Sequence, residues 1–315
     1  MQRYIIRRFI FSLFAIWATM TVTFIFMRLL PGDPVTTLVG EEGDPSQIEA
    51  IKARLGLDQP VPIQYFFYLR SLATLDLGES IYKRLPVNDL MAQALPRTIS
   101  LSIVSFVVGV AIGLPAGIIS AIRRYSIWDH GATLIAFLGL AMPGFWLGII
   151  LIIVFGVQLN WLPVFGYTPL SEGLWDWLRR LILPALATGT GFAAILARQT
   201  RSAMLEVLSQ DYIRTAYAKG LRERVVMNRH ALRNGMIPVV TVMGIALAIL
   251  LNGAVITENV FAMNGLGRLF IESILGRDYP IVQGVILLVA FIFIFMNFIV
   301  DMLYAVINPR IRYTD

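Results

Sequence analysis

Six stretches of this sequence, 17 to 29 residues long, carry no charged side chain: residues 9–27, 98–122, 131–159, 181–197, 237–257 and 281–300. A helix needs about 20 apolar residues to cross the roughly 30 Å hydrocarbon core of a bilayer. No water meets a backbone N–H or C=O there, so each run must close its own hydrogen bonds, which within one segment only a helix does. The expectation is an all-α, polytopic integral membrane protein with six transmembrane helices. Composition agrees: 57% of the 315 residues are hydrophobic, only 15% are charged, and the mean hydropathy is +0.72. A soluble chain of this length carries more charge.

The basic residues sit on alternate connections. Arg3, Arg7, Arg8, Arg123, Arg124, Arg310 and Arg312, with eight more in 198–236, fall on one side of a six-span layout, whereas the short connections opposite hold only Arg179, Arg180, Arg268 and Arg277. The positive-inside rule then places both termini and the 198–236 stretch in the cytoplasm. The first run is too long for a signal peptide, and Arg28-Leu-Leu-Pro-Gly-Asp follows it instead of a small-residue cleavage site, so it reads as a retained span. A net charge of +6 spread over the ends of apolar runs suits anionic lipid headgroups rather than nucleic acid. With no cysteine, and with His130 and His230 in separate loops, disulfides, thiolate metal sites and histidine-based catalysis have nothing to build on.

Three regions follow: residues 1–30 as N-terminal segment and first span, 31–97 as a folded periplasmic loop, and 98–315 as the transmembrane core with a cytoplasmic loop at 199–236. In the periplasmic loop, Asp44-Pro-Ser-Gln47 has the form of a capping box opening a helix through Ile48, Ile51 and Leu55, which Gly56 ends. Tyr65-Phe-Phe-Tyr68 and Leu72 suggest a second amphipathic piece on the membrane surface. Within the core, Ser105, Gly109, Gly113 and Gly117 recur every fourth residue, a small-residue strip suited to close helix packing in lipid. Pro115 should bend that helix. The third run is longer than a straight crossing needs, with Pro143-Gly144 as its natural break. Trp161-Leu-Pro163 marks its outer end, and Trp175 and Trp177 stand at interfacial spacing. The apolar content of Glu258 to Pro280 suggests that this outer connection dips back toward the helices. Thr188, Thr190, Asn252, Gln283 and Asn297 are polar groups inside spans, either lining a pathway or hydrogen-bonding between helices. Asp301 reads as the one acid adjoining a span's inner end, paired with a loop arginine.

The 198–236 stretch is the long polar interruption of the second half, with eight basic residues against three acidic. Ser209 or Asp211 is positioned to cap a short helix from Tyr212 to Lys219 that Gly220 stops. Ile213, Ala216 and Gly220 share one face for close packing by a partner, with Arg214 and Lys219 in water. A loop that only fixes topology is the plainer alternative.

Several motifs occur together in order: Arg28-Leu-Leu-Pro31-Gly32-Asp33-Pro34, Leu55-Gly-Leu-Asp-Gln-Pro60, Leu75-Asp-Leu-Gly-Glu-Ser80, Trp161-Leu-Pro163, Arg214-Thr-Ala-Tyr-Ala-Lys-Gly220, Arg277-Asp-Tyr-Pro280 and Asn308-Pro-Arg-Ile-Arg312. Together they resemble the peptide-type permease subunits of ATP-binding-cassette importers, the dipeptide, oligopeptide, glutathione and nickel group. The resemblance implies the type I importer permease fold and an EAA-type loop whose coupling helix, here Tyr212, Ile213, Arg214, Thr215, Ala216, Tyr217, Ala218, Lys219, Gly220 and Leu221, sits in a groove of an ATPase. Arg214-Thr215-Ala216 stands where Glu-Ala-Ala is typical, Arg233 takes a usual proline position after Leu232, and Asn264 precedes Gly265-Leu-Gly267 where relatives tend to have proline. It also implies that Pro31, Gly32, Asp33, Pro34, Glu258, Gly265, Gly267 and Arg268 belong to outer surfaces that gate the channel or meet a binding protein. Implied partners are a second homologous permease, two ATPase subunits, a periplasmic solute-binding protein, membrane lipid and a peptide or related solute, in a bacterial or archaeal inner membrane. The sequence holds no Gly-x-x-x-x-Gly-Lys-Ser/Thr loop, so ATP and Mg belong to the ATPase subunits and this chain needs no cofactor of its own. The rival classes are an ion-coupled carrier acting alone and a non-transporting scaffold. Carriers tend to hold ionisable groups at mid-membrane, where the first three runs have none.

Overall fold

The computed structural model describes residues 2–29, 35, 45–54 and 56–307. Pro31, Gly32, Asp33 and Pro34, the cap at Asp44, Leu55 and the Asn308 to Arg312 motif lie outside the described residues, as do the side chains of Asn252 and Asp301. The described chain is helical between its loops. In order, the helices are α1 (Gln2–Leu29), α2 (Pro45–Arg54), α3 (Val61–Ala73), α4 (Val87–Ile122), α5 (Ile127–Ala141), α6 (Gly144–Leu151, continued by π-helical turns over Ile152–Gln158) and α7 (Leu174–Leu208). They continue with α8 (Asp211–Ala218), α9 (Glu223–Val225, then π-helical turns over Val226–Ala231), α10 (Leu232–Val260), α11 (Leu266–Leu275) and α12 (Tyr279–Ile307).

Five of these segments are long and apolar enough to cross a membrane, and six if α5 and α6 are one broken span. The break falls where proline demands it: Met142 is extended, Pro143 offers no N–H, and the chain turns by 102° before α6. Two spans outrun their apolar cores. Helix α4 starts at Val87 rather than Thr98, so eleven residues expected in the loop are helical, and α7 runs to Leu208 rather than stopping at Ala197. Polar residues with good helix propensity extend a helix past the bilayer once its first turns are nucleated. Helix α4 also passes through Pro115 without interruption.

The chain forms two compact units, Met1–Thr98 with Asn264–Ile294, and Ile99–Met263 with Phe295–Asp315. In the first, Gly56 (φ +65) ends α2, with Leu57 N–H donating to the Lys52 carbonyl at 2.9 Å. Helix α3 lays two of its four expected surface aromatics on α1 instead: Tyr65 meets the Thr21 hydroxyl at 2.7 Å and the Phe24 ring edge-on, and Tyr68 stacks on Phe24. Phe66 and Phe67 stay exposed. The Arg28 guanidinium lies over the Phe24 ring at 3.9 Å and donates to Gln64 Oε1 at 2.8 Å. Burial, outweighing the nearby arginine charge, pushes the Tyr68 hydroxyl up to about 12.

Two motifs distant in sequence meet in this unit. Asp278 is almost fully buried and accepts from the Ser80 hydroxyl at 2.5 Å and from the N–H groups of Ile81 and Tyr82 at 3.2 Å each, while Lys83 N–H donates to Ser80 Oγ at 2.8 Å. One carboxylate thus satisfies a turn 198 residues upstream. Removing it leaves the buried donors of Ser80 and Ile81 unpaired, each costing about 1–3 kcal/mol, and frees the part-buried Tyr82 N–H. Asp278→Ala is therefore expected to loosen the turn, read as faster tryptic cleavage after Lys83 and Arg84 than in the parent protein. Asp278→Asn, which keeps one carbonyl acceptor, should fall between the two.

In the second unit the small-residue strip of α4 faces α7. A Cβ built on Gly113 would lie 2.5 Å from the Ala193 carbonyl oxygen, one on Gly117 2.5 Å from the Ala197 oxygen, and one on Gly109 2.3 Å from the Phe192 ring. Reciprocally, a Cβ on Gly189 would meet the Ser105 oxygen at 2.6 Å. The two backbones approach because nothing stands between them, and dispersion contacts hold them where lipid gives no hydrophobic drive. The connection after α10 dips back as expected: Phe261 and Met263 are buried with Leu101, Leu181 and Leu183. Trp177 packs inward, its indole N–H donating to Ser100 Oγ at 3.3 Å, while Trp175 remains exposed.

Candidate functional site

The connection between α7 and α10 is compact, because α8 has an amphipathic residue order and a seat to use it on. Ile213 and Ala216 are buried among Ala121 of α4, Met204 of α7, and Val226, Met227 and Ala231 of the following turns. This corrects the expected orientation. The Ile213/Ala216 face packs on the chain's own helices, and the opposite face is outward, with Tyr212, Arg214, Thr215, Tyr217, Ala218, Lys219 and Leu221 exposed. Apolar side chains at i and i+3 must cover something, and the α4 and α7 ends are at hand.

The boundaries also shift by one residue. Gln210 takes the N-cap position without a side-chain bond, while Ser209 Oγ donates to the Glu206 carbonyl and Asp211 pairs with Arg214 at 3.3 Å. Gly220 stops the helix at φ +76, with its N–H on the Tyr217 carbonyl at 2.9 Å. Asn234 of α10 donates to the Tyr212 hydroxyl at 3.1 Å, so one outward tyrosine is also tethered.

A second cluster lies beside that seat and escaped sequence reasoning. Asp129, in the first turn of α5, is only 3% exposed. Arg201 of α7 approaches it in fork geometry, Nε to Oδ1 and a terminal nitrogen to Oδ2, both at 2.9 Å. Ser120 of α4 donates to Oδ1, the Tyr125 N–H donates to Oδ2 at 3.0 Å, and Arg201 Nε also reaches Ser120 Oγ at 3.0 Å. Bidentate charge-assisted bonds of this kind are the strong ones. The sequence points to Asp301 as the acid adjoining a span; Asp129 adjoins one too, and only the fold brings Arg201 to it.

Helix α5 otherwise touches its neighbours through small side chains. Two cavities flank it, of about 600 Å³ and 390 Å³, and both are walled by Ala116, Ala132, Ala136, Ala194 and Ala197. The larger is apolar apart from Thr190, and the smaller opens on Asp129, His130, Arg198 and Arg201. Among the polar span residues, Thr188 bonds the Thr257 hydroxyl at 2.8 Å, joining α7 to α10. Thr190 donates to the Leu186 carbonyl at 2.5 Å. Gln283 is buried in the first unit, its amide nitrogen without a hydrogen-bond partner. Of the outer candidates, Glu258, Gly265 and Gly267 are buried and cannot offer their side chains or Cα faces to a partner as they stand. Gly265 precedes Leu266, whose N–H donates to Thr98 Oγ1 at 2.8 Å, and Arg268 pairs with Glu272 at 2.9 Å. The Asn264 carbonyl accepts from Arg97 at 3.0 Å. No cluster of three or more metal-ligating side chains occurs among the described residues.

Long apolar helices, one broken pair among them, and a short helix carried on their ends define a polytopic membrane protein. The fold matches a solved structure of the MetNI methionine ABC transporter in inward-facing conformation, with a TM-score of 0.58, 19% identity, and 70% of this chain and 96% of that one covered. Residues 113–313 match the family described as "Binding-protein-dependent transport system inner membrane component", and residues 1–102 match its N-terminal counterpart. The chain belongs to this family and is a multi-pass permease of the ABC importer type. Among curated relatives, a Brucella abortus chain named as a peptide transport system permease is 44% identical, with 93% of each chain covered. The glutathione transport system permease protein GsiC of Escherichia coli is 43% identical over 99% of this chain and all of its own. The dipeptide transport system permease protein DppB of Alkalihalophilus pseudofirmus is 40% identical over the same shares.

Proposed function

We propose that this chain is one of two homologous permease subunits of an inner-membrane importer that moves di- or oligopeptides, glutathione included, into the cytoplasm, with both termini cytoplasmic. Two separate ATPase subunits hold ATP and Mg, and a periplasmic solute-binding protein delivers cargo. The chain itself performs no hydrolysis. The observation that carries this assignment is α8: an eight-residue helix with its apolar face spent on α4 and α7 and its aromatic and basic face turned out. An isolated helix of that length is unstable in water, so it persists as a rigid knob because the seat holds it. A knob seated on two span ends transmits a push from an ATPase groove to both spans. Transport then follows if ATP and the loaded binding protein favour different access states, since only differential affinity shifts such an equilibrium.

The peptide assignment is supported by relatives at 40–44% identity whose names specify peptide, dipeptide or glutathione transport. The test is co-expression with the neighbouring ATPase, permease and binding-protein genes, purification through a tag on this chain, and uptake assays in proteoliposomes with labelled dialanine and glutathione. Co-purification of the ATPases and ATP-dependent uptake are expected, and both should disappear when residues 212–220 are deleted. Uptake that survives this deletion, or that proceeds without ATP on an ion gradient, overturns the assignment.

A further inference from the structure

The importer assignment leaves open how a displacement at α8 reaches the broken span, and the second unit holds a connection suited to it. Helix α8 sits on Ala121 and Met204. Ser120 is the residue before Ala121, and Arg201 stands one turn before Met204 on α7, so the segments that seat α8 also grip Asp129. Elsewhere α5 faces α4 and α7 across a seam of alanines, Ala132 and Ala136 with Ala116, Ala194 and Ala197, that lines both clefts. Such a seam holds α5 close to α7 but presents no long side chains that must clear one another when the helix shifts. Beyond its far end, Pro143 breaks the ladder at a 102° bend, a natural pivot.

We infer that the Asp129–Arg201–Ser120 cluster is the latch through which α8 drives α5, dragging the start of α5 so that the helix swings about Met142-Pro143 along its alanine seam. Asp129 and Arg201 are positioning residues in this scheme: they touch no cargo and no nucleotide. Their pairing suits the role, because a fork-geometry ion pair whose carboxylate is buried holds one angle as well as one distance. Removing Arg201 strands the Asp129 carboxylate, whereas removing Asp129 frees a guanidinium that is one-third exposed.

The inference rests on the importer assignment, and its test separates the two. The chain has no cysteine, so with partner subunits whose cysteines are replaced, paired spin labels at Leu134→Cys on α5 and Val107→Cys on α4, both exposed positions, report only the intended distance. In the assembled transporter, trapping ATP with vanadate is expected to shift the α4–α5 distance by several ångström relative to the nucleotide-free state. Asp129→Asn should abolish this response while the complex hydrolyses ATP within twofold of the parent rate, and the charge reversal Asp129→Arg with Arg201→Asp should restore it. The measurement needs no cargo. A parent complex whose distance ignores nucleotide overturns the latch, and so does an Asp129→Asn complex that responds like the parent. A response lost in Asp129→Asn but not recovered by charge reversal, or lost together with ATP hydrolysis, assigns the cluster to structure alone and also overturns it. If deletion of 212–220 leaves the parent response intact, the coupling role of α8 fails instead.

Discussion

Tyr217→Glu is expected to abolish most ATP-driven uptake without disturbing the fold of the chain. Tyr217 is 46% exposed on the outward face of α8, whereas the residues that seat the helix, Ile213 and Ala216, are untouched by the change. Aromatic anchors at the centre of an interface cost about 2 kcal/mol or more when lost, roughly 30-fold in affinity. A carboxylate adds desolvation to that loss. ATPase subunits should therefore elute from the tagged permease at concentrations where the parent complex holds, and uptake should fall at least tenfold. Arg214→Ala tests the basic part of the same face. Its pair with Asp211 is solvent-exposed on both sides and adds little to the fold, so lower uptake with an unchanged yield of folded chain is expected. Ile213→Asp provides the opposite contrast, placing a charge in the seat and lowering the amount of folded chain. Equal uptake by Tyr217→Glu and the parent would remove α8 as the ATPase contact.

Gly113→Leu should have the largest effect on stability. Any Cβ there lies 2.5 Å from the carbonyl oxygen of Ala193, and a backbone atom inside a helix cannot turn aside as a side chain would. The helices must separate along the whole strip, so the cost is expected at or above the upper end of the usual 1–3 kcal/mol for overpacking. Gly191→Ala, on the partner helix α7 with nothing within 4 Å of its Cβ, should be neutral or gain up to about 1 kcal/mol of helix propensity. The check is the thermal midpoint of each detergent-purified variant, followed by tryptophan fluorescence or size exclusion. A Gly113→Leu protein as stable as Gly191→Ala would mean that α4 and α7 are not packed at this distance in the membrane.

These expectations divide according to what a linear pattern encodes. The charge-free runs fixed the helical class because a bilayer leaves the backbone one solution per run, and that constraint is local; the structure has five such helices, or six with α5 and α6 as one broken span. The break at Pro143-Gly144 and the stop at Gly220 were legible for the same reason, since a missing N–H and a positive φ belong to single residues. The four-residue spacing of Gly109, Gly113 and Gly117 marked a packing face, but only the folded chain chose α7 as its occupant.

Orientation and long-range pairing were not legible. Ile213 and Ala216 announce an apolar face without saying whether it meets a foreign subunit or the chain's own helix ends, and tertiary packing gave it to Ala121 and Met204. Asp129 and Arg201, 72 residues apart, looked like turn and loop charges, as Ser80 and Asp278 looked like separate motif fragments. Burial couples such groups, because a charge withdrawn from water must find its partner wherever the fold supplies one. Sequence alone therefore determined which segments enter the membrane and where they break; the tertiary structure decided which surfaces remain free for partners and which charges lock the helices together.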